Sequence, residues 1–211
     1  MVPGDDWVVS GGRYALDFDA SDDNVVMNMQ NTSLLTACCW VLARNINNAN
    51  GEYFVVKWGG SLGSFDFYLG AFQNNWIART GDGAASSSAL LQSSATVNKW
   101  THLAVTRNAT SLRLFVDGLE TASTSAVGFQ GGGTQPLRLA FLPTNFYASC
   151  QLDDIRVMNR NMSNSEIRLL ASRRGIAYER RKRRSVFFNA EFFNPAWARN
   201  SNVIISPVGA A

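Results

Sequence analysis

The sequence has little charge, few cysteines and a single histidine, and each shortage excludes a class of protein. Charged residues make up only 17% of the 211 residues, against 46% hydrophobic residues, so the chain lacks the charge excess of disordered proteins. Its three cysteines, Cys38, Cys39 and Cys150, are odd in number and have no CxxC spacing. Together with the lone His102 they give neither a disulfide framework nor a zinc site, and we expect buried free thiols.

Long hydrophobic runs are also missing. The start of the chain, Met1 to Trp7, has no basic stretch followed by an apolar one, which is the pattern of a signal peptide. No later stretch approaches the length of uncharged residues that crosses a bilayer. The sequence therefore predicts neither a signal peptide nor a transmembrane segment, and no membrane partner.

Short apolar or alternating runs, separated by turn residues, fill the chain from Tyr14 to Ile155, and Gly, Asn, Asp or Ser stands at each boundary. The predicted strands are Tyr14–Phe18, Val25–Met27, Leu34–Arg44, Tyr53–Trp58, Phe65–Phe72, Trp76–Arg79, Ala89–Leu91, Trp100–Arg107, Ser111–Val116, Leu137–Phe141 and Gln151–Met158. About eleven strands at this spacing imply two packed sheets, so we predict an all-β, antiparallel two-sheet sandwich. Asp117-Gly118 predicts a tight hairpin after the ninth of these strands.

One helix is predicted after the last strand. Ser163 can cap it, and Glu166, three residues later, can complete a capping box before the apolar Ile167, Leu169 and Leu170. We expect this helix to close the sandwich.

A basic and then aromatic segment follows the predicted helix, and the change in composition places a domain boundary near Ser172. The chain is thus divided into a sandwich of residues 1–172 and an extended arm of residues 173–211. Charged residues would steer the arm to an acidic neighbour, and its aromatic residues would then become buried on that partner or on the chain's own sandwich. The predicted partner-binding residues are Arg180, Arg181, Arg183, Arg184, Phe187, Phe188, Phe192, Phe193 and Trp197. Because the aromatics begin only after Arg184, we do not expect nucleic-acid binding.

Several segments, in the right order, carry a family resemblance. They are Ala15–Val26 with its aspartate-rich turn, Leu34–Trp40, Trp100–Arg107 followed by Leu112–Gly118, and Leu152–Arg160 with the helix after it. They resemble the laminin-G-like branch of the concanavalin A-like jelly-roll superfamily. The resemblance covers roughly residues 14 to 171, and it implies a jelly roll.

The arm has a resemblance of its own. Residues 172–180, with Pro195 to Arg199 downstream, resemble the tails of such domains in tailed-phage and marine viral proteins. This resemblance implies a virion location and a structural role, namely a capsid decoration or cement subunit. The arm would attach the subunit to the shell, to another virion protein or to sibling subunits in a homo-oligomer.

Aspartates suggest a possible calcium site. Calcium takes six to eight oxygen ligands, and in the resembling fold the opening turn and the closing strand come together. The candidate ligands are Asp19, Asp22, Asp153 and Asp154. In the alternative interpretation, Asp22 and Asp23 form a solvated turn, and Asp153 pairs with a nearby arginine or caps a loop.

The second functional hypothesis is a calcium-assisted, lectin-like module that binds cell-surface glycans. Trp58, Tyr68 and Trp76 are the predicted glycan-binding residues, because exposed aromatic rings can stack on sugar faces. These residues also fit the core of a sandwich.

No catalytic residue is predicted. Glycosidases need two carboxylates about 5 Å apart for a retaining mechanism, and on related folds these come from a Glu-x-Asp-x-x-Glu run. The five glutamates of this chain are scattered, and no such run is present. We therefore expect a protein that binds rather than catalyses.

Overall fold

The computed structural model describes residues 6–29, 33–48, 51–58, 65–81, 88–125, 135–142 and 146–175, without the side chains of Trp58, Phe65 and residues 88–91. The chain divides into two compact units, Met1–Tyr178 and Glu179–Ala211, and every described residue lies in the first. This unit extends past Ser172, where the sequence placed the boundary. The predicted partner-binding residues, from Arg180 to Trp197, lie outside the described residues.

Two antiparallel sheets make up most of the described chain. In spatial order, the seven-stranded sheet contains β1 (Trp7–Ser10), β2 (Arg13–Asp19), β15 (Ser149–Met158), β4 (Leu35–Ala43), β9 (Trp100–Arg107), β10 (Ser111–Val116) and β11 (Leu119–Ser125). The six-stranded sheet contains β3 (Val25–Met27), β12 (Leu137–Leu139), β5 (Glu52–Trp58), β6 (Phe65–Phe72), β7 (Asn75–Gly81) and β8 (Ser88–Ser94). Two short strands, β13 (Phe141–Leu142) and β14 (Phe146–Tyr147), pair with each other in a small third sheet. The predicted all-β sandwich is confirmed.

The core lies between the two large sheets and follows from alternation along the strands. Leu112 and Leu114 of β10 are fully buried in it, as are Leu103 and Val105 of the neighbouring β9. Each such side chain contributes roughly 1.5–3 kcal/mol by leaving water. One face of every central strand is therefore committed to the core, and the other is available for a different role.

Tight turns connect neighbouring strands. Gly11 and Gly12 join β1 to β2 with positive φ angles of 59° and 76°, which is the backbone of a two-residue hairpin turn. Asp117 and Gly118 join β10 to β11 with φ angles of 49° and 80°, so the predicted hairpin is present.

The helix α1 (Asn164–Ala171) covers part of the outer face of the seven-stranded sheet. Ser163 caps it and Glu166 completes the capping box, as predicted. Ile167 and Leu170 are buried and cluster with Ala104 of β9 and other side chains of that face. No helix in the described part of the chain is long and apolar enough to span a membrane.

Candidate functional site

The outer face of the six-stranded sheet carries a cross-strand row of mixed chemistry. Pairing between neighbouring strands aligns Val26, Arg138, Val56, Tyr68 and Arg79 in this row. The next residues along the same strands, such as Leu139 and Leu69, are in the core. Because side chains alternate along a strand, the row faces away from the core.

A small apolar cluster surrounds this row. Val56, Tyr68 and Ile77 are buried against Leu142 of β13, so the β13–β14 hairpin lies on the outer face of the sheet. Tyr53, Phe72 and Phe146 pack around them and remain half-buried. We call the resulting surface the aromatic face, and it consists of Tyr53, Tyr68, Phe72, Arg79, Arg138, Phe141, Phe146 and Tyr147.

At one end of the aromatic face, two tyrosines and an arginine contact one another. The rings of Tyr53 and Tyr68 meet edge to face with 5.2 Å between their centroids, and Arg79 forms a side-chain hydrogen bond with Tyr68. Burial raises the pKa of Tyr68 to about 12 and also raises the pKa of Tyr53. Both hydroxyls are therefore neutral at physiological pH and can donate or accept hydrogen bonds.

The other end of the aromatic face is built around Arg138. Its guanidinium lies over the Phe141 ring, 5.4 Å from the centroid, and the Phe141 ring lies 4.6 Å from that of Tyr147. All three side chains are half-buried. The face thus combines aromatic rings, which can stack on an apolar surface, with arginines, which can donate several hydrogen bonds.

The predicted glycan-binding residues have different positions. Tyr68 belongs to the aromatic face, where 9% of its surface is exposed. Trp76 is a correction to the prediction, since it is 1% exposed and its ring packs in the core against Phe54 at 6.2 Å. A ring so buried cannot stack on a sugar. The side chain of Trp58 is outside the described residues.

The candidate calcium ligands on the closing strand bind arginines. The carboxylate of Asp153 lies 3.2 Å from Nε of Arg174 and 3.9 Å from Nε of Arg13. Oδ1 of Asp154 accepts hydrogen bonds from Nε and Nη2 of Arg156, at 3.0 and 2.9 Å. A bulge at Asp154, whose φ is 49°, interrupts the regular alternation of side chains along β15.

The other two candidate ligands lie in the opening turn. Oδ1 of Asp19 accepts a hydrogen bond from the Ser21 amide at 2.7 Å, and Asp22 is exposed. Asp19 pairs with Ser149, and Asp153 lies further along β15, so their Cα atoms are about 13 Å apart. Among the described residues, no group of three or more His, Cys, Asp or Glu side chains is arranged to hold a metal ion. A calcium site therefore stays a prediction without an assembled ligand set.

Arg174 is a structural residue that its sequence context did not distinguish from the basic arm. Its guanidinium lies 4.0 Å from the centroid of Trp100, pairs with Asp153 and donates a hydrogen bond to the Ser10 carbonyl oxygen. It is 9% exposed. Arg174 consequently attaches residues 172–175, which are described after α1, to the outer face of the seven-stranded sheet.

The same sheet also contains a buried histidine and buried cysteines. His102 is 1% exposed, lies edge to face with Trp40 at 5.5 Å and has its pKa lowered to about 4 by burial. The cysteines are buried and free, as expected, and burial raises the pKa of Cys38 to about 12. Thiols in this state are unreactive.

Comparison with known proteins identifies the fold. The laminin-G family model described as the concanavalin A-like lectin/glucanases superfamily matches residues 18–168. A comparison with curated proteins finds no match.

Similar solved structures include the binding domain of Paraclostridial Mosquitocidal Protein 1, with 16% sequence identity and a TM-score of 0.62 over 78% of this chain and 44% of that one. The receptor binding domain of botulinum neurotoxin D has 14% identity and a TM-score of 0.60, over 80% of this chain and 46% of that one. The receptor binding domain of the botulinum neurotoxin C/D mosaic serotype has 13% identity and a TM-score of 0.62, over 75% and 42%.

The chain spans less than half the length of each of these binding domains. At such low identity the likeness concerns the fold alone. The family match covers most of the described sandwich, and the sheets have the matching architecture. The chain therefore belongs to the concanavalin A-like lectin/glucanases superfamily, in its laminin-G branch.

Proposed function

We propose that this protein is a lectin-like module that binds a glycan through the aromatic face of its six-stranded sheet. The main support for this proposal is that Tyr53, Phe72 and Phe146 remain half-buried around a buried apolar cluster on the outside of the sheet. Rings held in this way present an apolar surface at little further loss of conformational entropy. Neighbouring hydroxyl and guanidinium groups can then form hydrogen bonds with the hydroxyls of a sugar.

The comparisons support binding more than assembly. The similar solved structures are a binding domain and receptor binding domains, and the family description includes lectins. The capsid-decoration hypothesis depends on the arm, and the predicted partner-binding residues of the arm are outside the described residues. We therefore prefer the lectin-like hypothesis, and virion attachment stays a prediction from the resemblance of the arm.

We also propose that the module binds without cleaving. Glu52, the glutamate of the six-stranded sheet, is buried and accepts hydrogen bonds from the Asn48 side chain at 3.2 Å and the Ser149 amide at 3.1 Å. A carboxylate held in this way supports the loop and strand beside it. An assay for sugars released from the bound glycan is expected to detect none.

The direct test is a glycan array probed with the full chain and with variants of the aromatic face. We expect binding to a subset of glycans, and Tyr53→Ala and Phe146→Ala should each weaken it about tenfold or more, since stacking on an aromatic anchor is lost. Tyr14→Ala is the matched control, because Tyr14 is an exposed tyrosine on the seven-stranded sheet.

Stability must be separated from binding in this test. Tyr53→Phe keeps the ring and removes only the hydroxyl, so it should remain folded and retain the stacking part of the affinity. If folded Tyr53→Ala and Phe146→Ala proteins bind as tightly as the parent chain, the aromatic face is not the binding site.

A further inference from the structure

The charges of the six-stranded sheet are unevenly distributed between its buried and exposed positions. Its described strands contain two acidic residues, Glu52 and Asp66, and both are buried. Glu52 is hydrogen bonded as described above, and Asp66 lies 3.0 Å from the ammonium group of Lys57, which is equally buried. Both negative charges of the described strands are therefore buried and have partners within the protein.

The remaining cations of these strands, Arg79 and Arg138, are half-buried on the aromatic face. They stand in the same cross-strand row, and Val56 and Tyr68 lie between them. Three strand spacings separate the two arginines, so their Cα atoms are about 14 Å apart. This distance exceeds the width of one sugar ring, so we expect a ligand that pairs with both arginines to be an oligosaccharide.

Both guanidinium groups are held in position before any ligand arrives. Arg138 lies over the Phe141 ring, and Arg79 is hydrogen bonded to Tyr68. A planar guanidinium matches a carboxylate in a two-point interaction, and prior ordering lowers the entropy lost on binding. The exposed carboxylate of Asp22 and the half-buried carboxylate of Asp23 precede β3 and are outside the row.

We infer that the preferred ligand of the aromatic face is an acidic oligosaccharide, with sugar rings on the aromatic side chains and carboxylates paired with Arg79 and Arg138. This inference rests on the proposed function and narrows its ligand class. The charge complementarity comes from the arrangement of the sheet rather than from the basic arm.

The test compares carboxylated oligosaccharides with their own methyl esters, which have the same sugars without the charge. Short galacturonate, glucuronate and sialic-acid oligosaccharides are suitable probes, and binding to the full chain is measured by calorimetry. We expect at least one acid to bind about tenfold more tightly than its ester, and Arg79→Gln and Arg138→Gln should each remove most of this difference.

Arg113→Gln is the control. Arg113 also lies over a phenylalanine ring, 5.3 Å from the centroid of Phe115, but on the seven-stranded sheet. Arg113→Gln should leave the preference for the acid unchanged. A preference caused by the basic arm would instead survive Arg79→Gln and Arg138→Gln as well.

The outcomes distinguish this inference from the proposed function. If the esters bind as tightly as the acids, or if Arg113→Gln reduces the preference as much as the other two variants, the acidic ligand class is wrong. The proposed function would survive that result as long as Tyr53→Ala still weakens glycan binding about tenfold or more. If no glycan binds the full chain, the proposed function itself is overturned and the inference falls with it.

Discussion

At the scale of single residues, the buried His102 makes the stability of the folded state depend on pH. Its burial lowers its pKa from 6.5 to about 4, so as the pH falls below 6.5 the unfolded chain takes up this proton before the folded one does. The folded state is therefore destabilised progressively between pH 6.5 and pH 4, and His102 has no such effect above that range. The shift corresponds to about 3 kcal/mol.

We predict that His102→Gln reduces this acid sensitivity. Urea unfolding of the parent chain and the variant near neutral pH and near pH 4.5 measures it, and the carboxylates common to both proteins cancel in the comparison. The free energy of unfolding of the variant should fall less over this interval. An identical decrease in both proteins would show that His102 is not the responsible group.

Replacement of Arg174 measures how much its contacts on the seven-stranded sheet stabilise the fold. Arg174→Met leaves the buried Asp153 with Arg13 at 3.9 Å and removes the stacking on Trp100, so we expect a loss of about 2 kcal/mol. Arg173→Met is the matched control, since Arg173 is the exposed neighbour and its replacement should change stability by less than about 0.5 kcal/mol. Equal effects measured by denaturant unfolding would contradict this role of Arg174.

At the scale of elements, a close approach between β5 and β6 requires a glycine. A Cβ atom on Gly70 would stand 2.1 Å from the Glu52 carbonyl oxygen, next to the register shift between Tyr53 and Val55. We predict that Gly70→Ala destabilises the protein by about 3 kcal/mol, because backbone must move to accommodate it.

Gly12→Ala is the comparison for this prediction. Gly12 has a φ of 76° but no atom within 4 Å of the added Cβ, so only the strained backbone conformation contributes and the loss should be about 1 kcal/mol. Thermal unfolding of both variants distinguishes the two effects. A Gly70→Ala protein as stable as Gly12→Ala would mean that β5 and β6 can separate freely.

Prediction of elements from the sequence succeeded where strands have an apolar face. Val25–Met27, Phe65–Phe72, Trp100–Arg107 and Ser111–Val116 have the predicted bounds. The strand β11, Leu119–Ser125, was not predicted because it is a polar edge strand with mostly exposed side chains. This strand is held by hydrogen bonds to β10, and it lacks the alternation of apolar and polar residues by which a strand can be recognised in a sequence.

At the scale of the whole molecule, the first unit ends at Tyr178 and includes Arg174, whereas the sequence placed the boundary near Ser172. A chain ending at Tyr178 should be as stable to heat as the full chain, since it retains Arg174 and Gly175. A chain ending at Ser172 should be less stable by about 2 kcal/mol, because the Asp153 pair is broken. Equal melting temperatures for the two shortened chains would contradict this boundary.

The candidate site depends on contacts that are distant in the sequence, and this limited its prediction. Tyr68 could be proposed from its residue type, but Arg79 and Arg138 are aligned only by the pairing of β12, β5, β6 and β7. Trp76 was misassigned because a tryptophan on a strand gives no indication of which face it occupies until the register is known. The family resemblance predicted the jelly roll, but the choice of binding face needed the structure.

The most direct test of the account is to map a bound glycan on the full chain by NMR. The strongest binder from the array is titrated into the protein, and changes in the aromatic and backbone signals are followed. We predict that the largest changes fall on Tyr53, Tyr68, Phe72 and Phe146, with little change at Trp100 or Phe115 on the seven-stranded sheet. Changes concentrated on the seven-stranded sheet would contradict the assignment of the aromatic face as the binding surface.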